Sequence, residues 1–396
     1  MSSVVVLSFS PIARDTRVLR QCALLKEMGH SLHVIAYADE KDDISFPLSR
    51  WPIPRPTTLH RLKTVSRQLP AHLGLSAARA GFWVEPAHRW AFQELQRLNP
   101  QLVVANDWSA LVVAAAWKAK NGGLIHFDVH EFATQEFDES LWWRTIYKPM
   151  VTHLERFALP SADSLSTVGP SLANALQSLY GLAKKPMVIR STPERVDMLL
   201  NTDCPWPMRV LFHGHMLPDR GLEPLLRSVA LWREHHTLLI RGSGPEAYLA
   251  SLRALTADLP PGQVRFEPAV AQKDVVTTAA ATADLGVFFT PLRTGQHHCN
   301  LPNKIFEYIA AGLAVAVSAA PDLRSTVEEY GVGVVSNDAG HEAIAASINS
   351  LTKEKMLSFK AAARTASQTL CWQKESEVLR ATFEALLANA ENCTTR

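Results

Sequence analysis

The chain is short of cysteine, of net charge and of long apolar runs, and each shortage removes a class of protein. Its five cysteines, Cys22, Cys204, Cys299, Cys371 and Cys393, are odd in number, scattered, and form no CxxC pair. That argues against a disulfide framework or zinc ribbon and fits a reducing cytosol. A net charge of +2 argues against a nucleic-acid binder driven by bulk charge. No segment approaches the roughly 20 apolar residues of a membrane span. The N-terminus, MSSVVVLSFSP, has no basic region and too short an apolar run for a signal peptide. A cytoplasmic location follows as the expectation, with any membrane met only from its inner face. No Asp-x-Asp triplet is present to carry the usual Mg²⁺ bridge to a diphosphate. The pairs His213 with His215, His235 with His236, and His297 and His298 beside Cys299, give no spaced four-ligand set. Neither a metal nor another cofactor is expected.

What is present is a soluble globular composition, 47% apolar and 20% charged, over 396 residues. That length exceeds one core and predicts two domains. Short apolar runs alternate with amphipathic stretches, the pattern of parallel sheets covered by helices. In the first half, strands are expected at 4–9, 32–37, 102–105, 124–128, 164–167 and 187–189, with helices at 15–28, 110–120 and 171–179. A second series of strands is expected at 210–213, 237–240, 264–267, 285–289 and 313–317. Its helices are expected at 222–233, 246–257, 273–281 and 302–311. Between the series lie Pro186, Pro193, Pro205 and Pro207, which break helix and ladder alike. The expected organisation is an N-terminal α/β domain over 1–190, a linker over 191–208 and a C-terminal α/β domain over 209–372. A terminal amphipathic helix over 373–396 completes it. Ligands in open α/β sheets bind at the carboxyl ends of strands.

Residues 50–97 interrupt the alternation. They hold Trp51, Trp83 and Trp90, and eight cations (Arg50, Arg55, Arg61, Lys63, Arg67, Arg79, Arg89, Arg97) against Glu85 and Glu94. Such a segment suits a peripheral contact with an anionic membrane surface or an anionic acceptor. An ordinary solvated helical insertion accounts for the same composition.

Three loops at strand ends in the second half carry the chemistry. In HGHMLPDRGLEPLL, Gly214 lets backbone approach a ligand, and Arg220 stands where a guanidinium grips a diphosphate through paired N–H bonds. RGSGPE supplies Gly242 and Gly244 but lacks the third glycine of a dinucleotide fingerprint. NLPNKIFEYIAAG leads from Asn300 and Leu301 into a helix carrying Lys304 in its first turn and Glu307 one turn on. The helix start suits a phosphate, and Glu307 a ribose. In the first half, HFDVHEF places Asp128, His130 and Glu131 at a strand end. There a histidine can donate to a sugar hydroxyl or act as acid or base. Asp107 and Trp108 end the preceding strand, the tryptophan suited to stacking on a sugar. Capping for Asp107 and packing for His130 are the plain alternatives.

In this order the motifs resemble family-4 glycosyltransferases, retaining enzymes of the GT-B fold. The resemblance runs through SFSPIARDTRVLRQCALLKEMGHSLHVIAY, VANDW, DVHEF, FHGHMLPDRGLEPLL, GSGPE, NLPNKIFEYIAAG and Trp372. It implies two Rossmann-like, doubly wound α/β domains facing a cleft, the C-terminal one binding a nucleotide sugar and the N-terminal one the acceptor. The terminal helix is expected to pack back on the N-terminal domain. By position Glu307 resembles the second of the family's paired glutamates, which contacts the nucleotide ribose. Arg220 resembles the basic residue on the diphosphate, and His130 the histidine near the transferred sugar. The Asn300–Leu301 backbone resembles the phosphate-contacting loop. Three positions depart from the pattern. Cys299 occupies the place of the first glutamate, His215 that of a second basic residue, and the first loop has no glycine, although Asp15 and Arg17 resemble a variant of it.

The expected activity is transfer of a sugar from a nucleotide donor to an acceptor hydroxyl with retention of configuration. The acceptor is expected to be a glycan, a glycolipid or a small molecule, in surface-polysaccharide or glycolipid assembly. His130, Arg220, Lys304 and Glu307 would act at the reacting centre. Gly214, His215, Gly242, Gly244, Asn300 and Leu301 would complete the donor side, and Asp15, Arg17, Asp107, Trp108 and Glu131 the acceptor side. A catalytically silent sugar-nucleotide-binding partner and a sugar-nucleotide epimerase on the same fold are the rivals.

Overall fold

A computed structural model describes residues 1–54, 58–196 and 203–394. Arg55 and the 197–202 portion of the expected linker lie outside the described residues, as do residues 395–396 and the side chains of Arg61 and Cys393. The strands form two sheets in which every pairing is parallel. The first sheet holds β1 (Ser3–Pro11), β2 (Ser31–Tyr37), β3 (Leu48–Trp51), β4 (Leu102–Asn106), β5 (Leu124–Val129), β6 (Ser164–Thr167) and β7 (Met187–Val188). Their spatial order is β3-β2-β1-β4-β5-β6-β7. The second holds β8 (Arg209–His213), β9 (Thr237–Arg241), β10 (Val264–Glu267), β11 (Leu285–Phe288), β12 (Ala314–Ser318) and β13 (Gly333–Ser336). They lie in the order β10-β9-β8-β11-β12-β13. In each sheet the order reverses beside the first strand, the switch point where α/β folds place ligands.

The expected strands are present to within a residue or two. Both unforeseen strands, β3 and β13, are sheet edges with mostly half-buried residues. Edges lack the continuous apolar run that marks an interior parallel strand. The helix expected over 222–233 spans only Leu222–Ser228 and tightens into a 3₁₀ turn at Val229–Leu231. There the Ser228 hydroxyl donates to the Leu225 carbonyl (2.7 Å) and accepts from the Trp232 indole (3.2 Å), a local competitor for the helical ladder. The helix expected to start at Lys273 starts at Val275, after a 3₁₀ turn at Gln272–Asp274. The basic segment folds into helices Thr58–Gln68, Leu75–Trp83 and Pro86–Leu98.

Residues 1–189, 294–296 and 376 onward form one compact unit, and residues 190–293 and 297–375 another. The long final helix, Trp372–Thr394, thus contributes most of its length to the first unit. There the Phe383 ring meets His126 edge-on at 5.2 Å, and Arg380 pairs with Glu27 at 2.6 Å.

Each unit is knitted by a buried charge cluster. In the second, Asp284 is fully buried and accepts from Arg209 through Nε (2.9 Å), Nη2 (3.0 Å) and the backbone N–H (3.1 Å). Lys360, 1% exposed, also donates to Asp284 (3.1 Å) and to the Asp203 carbonyl (2.6 Å). Burial opposes the Asp284 charge, yet the Arg209 bonds and the Lys360 ammonium hold its pKa below the ordinary carboxylate value. Asp284→Ala would leave Lys360 buried without a counter-charge, at a cost of about 3–5 kcal/mol. Urea denaturation should show that loss, and Asp284→Ala with Lys360→Met should lose less than the single change.

Candidate functional site

The second unit brings its three loops together through close backbone approach. Gly214 follows β8 at φ +125°, and a Cβ there would lie 2.3 Å from Lys304 Cε. A Cβ on Gly242, at φ +157°, would lie 1.9 Å from the Gly214 carbonyl oxygen. Gly244 packs against the Met216 carbonyl in the same manner. A side chain at Gly214 would force the loop after β8 away from the helix Asn303–Ala310, and one at Gly242 or Gly244 would force the loops after β8 and β9 apart.

That helix presents Glu307, nearly buried, with His213 Nε2 3.0 Å from Oε2 and the Gln272 amide donating to Oε1 at 3.1 Å. Burial works against its charge. The His213 contact, the Gln272 bond and the Lys304 ammonium outweigh it, and the carboxyl stays below its usual pKa. His213 is fixed in turn: its ring stacks on Tyr308 at 4.5 Å, and its backbone N–H donates to the Tyr308 hydroxyl at 3.0 Å. The Lys304 ammonium sits 5.7 Å from the centre of the Phe212 ring and 5.6 Å from that of Phe288. Among the described residues it makes no hydrogen bond. Burial, then the Arg220 guanidinium, push its pKa down to about 8, against the pull of Glu307. Arg220 is exposed and has no ion pair among the described residues. Two cations thus share one place with a single carboxylate already engaged by its own partners.

Around them, Leu301 is buried and Asn300 half-buried in the loop before the helix. His215 is exposed, 3.5 Å from the Ser243 hydroxyl. Cys299 is buried, and burial followed by Asp322 pushes its thiol up to about 11. It is neutral at pH 7, so no anion replaces the glutamate the family pattern expects there. Sequence reasoning missed His213 and Gln272 as partners of Glu307. His213 stands openly in FHGH, but the motif gives no sign of its carboxylate partner. Gln272 belongs to no motif, and only the folded chain brings it within reach.

The first unit gathers its residues around Asp128, which is fully buried at the end of β5. Arg17 donates to both of its oxygens at 2.7 Å, Gln21 at 2.5 Å and Ser166 at 2.6 Å. His130 Nε2 stands 3.1 Å from the same carboxylate and 3.1 Å from the Asn106 amide oxygen. Asp107, in the left-handed region at φ +65°, accepts the His130 backbone N–H at 3.0 Å and lies 3.4 Å from Nδ1. Burial disfavours the imidazolium, but Asp107 and Asp128 overcome it and raise the His130 pKa to about 9. At neutral pH the ring is therefore a cation and has no lone pair with which to act as a base.

Arg17, expected on the acceptor side, is 5% exposed and points inward. Its Nη1 donates to the Ile189 carbonyl at 2.7 Å. Three of its nitrogens are thus engaged within the first unit. Asp15 caps the helix Thr16–Glu27, accepting from the Val18 N–H (3.1 Å) and the Ser10 hydroxyl (2.5 Å). Glu131 is exposed and accepts from the Gln296 amide. Trp108 lines a cavity of about 450 Å³ whose walls include Phe9, Tyr37, Trp51, Phe82 and His88. His88 stacks on Phe82 at 3.8 Å, and burial lowers its pKa to about 4, so it joins the aromatic wall as a neutral ring.

Two family models match the chain: the glycosyl transferase 4-like domain over residues 15–191, and glycosyl transferases group 1 over residues 207–354. The chain belongs to the family-4 group of GT-B glycosyltransferases. Among solved structures, this glycosyltransferase is similar to Anabaena HepE in complex with UDP and glucose. The TM-score is 0.69 and the identity 16%, over 97% of this chain and 100% of that one. It is also similar to sucrose-phosphate synthase from Thermosynechococcus elongatus (TM-score 0.74, 15% identity, covering 98% and 100%). A third is WaaG, a glycosyltransferase involved in lipopolysaccharide biosynthesis (TM-score 0.66, 15% identity, covering 95% and 98%). No curated protein sequence matches the chain.

The raised pKa of His130 has a sign that can be checked. Its stabilising contribution is complete below the ordinary histidine value of 6.5 and is lost as pH rises through about 9. The stability difference between the wild-type glycosyltransferase and His130→Gln should therefore shrink steadily from pH 6.5 to 9. A constant difference over that range would contradict a charged His130.

Proposed function

We propose that this glycosyltransferase moves a glycosyl group from a nucleoside-diphosphate sugar to an acceptor hydroxyl with retention of configuration. The observation that carries the reading is the juxtaposition of Lys304 and Arg220 without enough acid to neutralise them. Burial and mutual repulsion hold the Lys304 pKa near 8, a cost that a diphosphate would relieve. Such unbalanced charge at strand ends marks a site prepared for an anion. Glu307, kept ionised and oriented by His213 and Gln272, would accept hydrogen bonds from the ribose. HepE, similar in fold, holds UDP, UDP-glucose, or UDP with glucose. Among the described residues no group of three or more His, Cys, Asp or Glu is placed to hold a metal ion. The reading therefore gives the phosphate charge to Arg220, Lys304 and the amides around Asn300 and Leu301.

Retention without a protein nucleophile calls for attack from the face the leaving group vacates. The bond from the anomeric carbon to the phosphate oxygen breaks as the acceptor oxygen bonds to that carbon. The acceptor proton passes to the departing phosphate, since the His130 imidazolium cannot take it at neutral pH. On this reading the acceptor binds the first unit, where Trp108 would offer a stacking surface. The product would extend a glycan or glycolipid.

Thermal shifts against a panel of nucleoside diphosphates and their sugars test the reading. A ligand at about 100 times its dissociation constant adds roughly 2.7 kcal/mol to the native state. One nucleotide class should raise the melting temperature, and Arg220→Ala or Glu307→Ala should weaken its binding by about tenfold or more. Flat curves across the panel would overturn the donor-site assignment. With the nucleotide class known, NMR of the product should show the anomeric configuration of the donor. Inversion would refute the mechanism.

A further inference from the structure

The helices of the first unit that follow β3, together with the segment 137–157, leave large apolar side chains in water. Leu73 is 86% exposed, Leu141 67% and Trp142 54%, with Leu69, Phe137 and Phe157 also exposed. They lie on elements that touch one another. The 3₁₀ turn Leu69–Leu73 is tied to the π-helical turn Trp143–Tyr147 by a 2.6 Å contact between His72 Nε2 and the Thr145 carbonyl. Next in the chain to Leu141 and Trp142, Trp143 stacks on Tyr147 at 5.4 Å and takes the edge of Phe137 at 5.2 Å.

Cations predominate on these elements, although Glu139 is exposed between Phe137 and Leu141. Lys63, Arg79 and Arg144 are exposed, and the Arg79 guanidinium lies 4.8 Å from the centre of the Phe157 ring. Two of the nearby acids are already neutralised, Glu85 by Arg67 and Asp138 by Lys148. Exposed leucine and tryptophan on touching elements that also expose Lys63, Arg79 and Arg144 are the chemistry of a surface that lies in the headgroup layer of an anionic bilayer. No helix among the described residues is long and apolar enough to cross a membrane.

We propose that this face docks the protein on the surface of an anionic lipid bilayer, with Leu73, Leu141 and Trp142 entering the interface and Lys63, Arg79 and Arg144 facing the lipid phosphates. The same helices wall the 450 Å³ aromatic cavity, through Thr64, Gln68 and Phe82. Resting on the glycosyl-transfer reading, this makes the acceptor an amphiphile whose polar head reaches that cavity while its tail stays in the bilayer.

Flotation of the full chain with phosphatidylcholine vesicles, with and without phosphatidylglycerol, tests the docking without any sugar donor. The wild type should float with the mixed vesicles, release as salt rises, and bind pure phosphatidylcholine at least about tenfold less. Leu73→Ser with Trp142→Ser, and separately Lys63→Glu with Arg144→Glu, should each cut the bound fraction by about tenfold while leaving the melting temperature unchanged. Equal binding to both vesicle types, or undiminished binding by either variant, would overturn the proposal. So would concentration-dependent self-association that the Leu73→Ser, Trp142→Ser variant abolishes, which would make the face an interface between copies. Nucleoside-diphosphate binding by the same variants should match the wild type, so failure of the docking and failure of the donor reading give different results.

Discussion

A carboxylate out of reach of water, Asp128, is the constraint from which the first unit takes its shape. Its charge survives burial because five donors from four residues converge on it. Those residues come from the first helix, from β6 and from the turn after β5. The guanidinium that balances it reaches on to the Ile189 carbonyl at the end of the sheet. Loss of either partner would leave the other charged and dry, a larger penalty than the pair's own net worth. The geometry of the loop after β5 is therefore dictated from below, and so is the charge of His130.

The two units use charge in opposite ways. In the first, Arg17 and Asp128 are saturated, and Asp284 in the second plays the same structural part with Arg209 and Lys360. At the ends of β8 and β9 the balance is left open. Lys304 rests on aromatic rings, beside another cation, and has no hydrogen-bond acceptor of its own among the described residues. An arrangement that raises the energy of the empty protein persists where a ligand lowers it again. On the proposed reading that ligand is a diphosphate, with Glu307 placed beside it for the ribose.

The parallel sheets were legible because interior strands such as β4 and β12 are apolar up to their last residue and buried on both faces. Edge strands gave no such signal. The loops of the second unit were legible from their glycines, and Lys304, Arg220 and Glu307 do stand near one another. The inward direction of Arg17 was not legible, because a sequence shows that a cation is present but not which way it points; its partner lies 111 residues away. His213 and Gln272 acquire their roles only from contacts with Glu307, and local sequence carries no trace of such contacts. The neutrality of Cys299 depends in the same way on burial that no motif encodes.

The central claim is that Lys304 awaits an anion, and proton uptake tests it most directly. UDP should be titrated calorimetrically near pH 8, where the free lysine is about half protonated, in two buffers of different ionisation enthalpy. If another nucleoside diphosphate gives the thermal shift, it takes the place of UDP. The account predicts that binding draws about half a proton into the wild-type protein and none into Lys304→Met. Binding with no proton uptake, or with the same uptake in the variant, would contradict it.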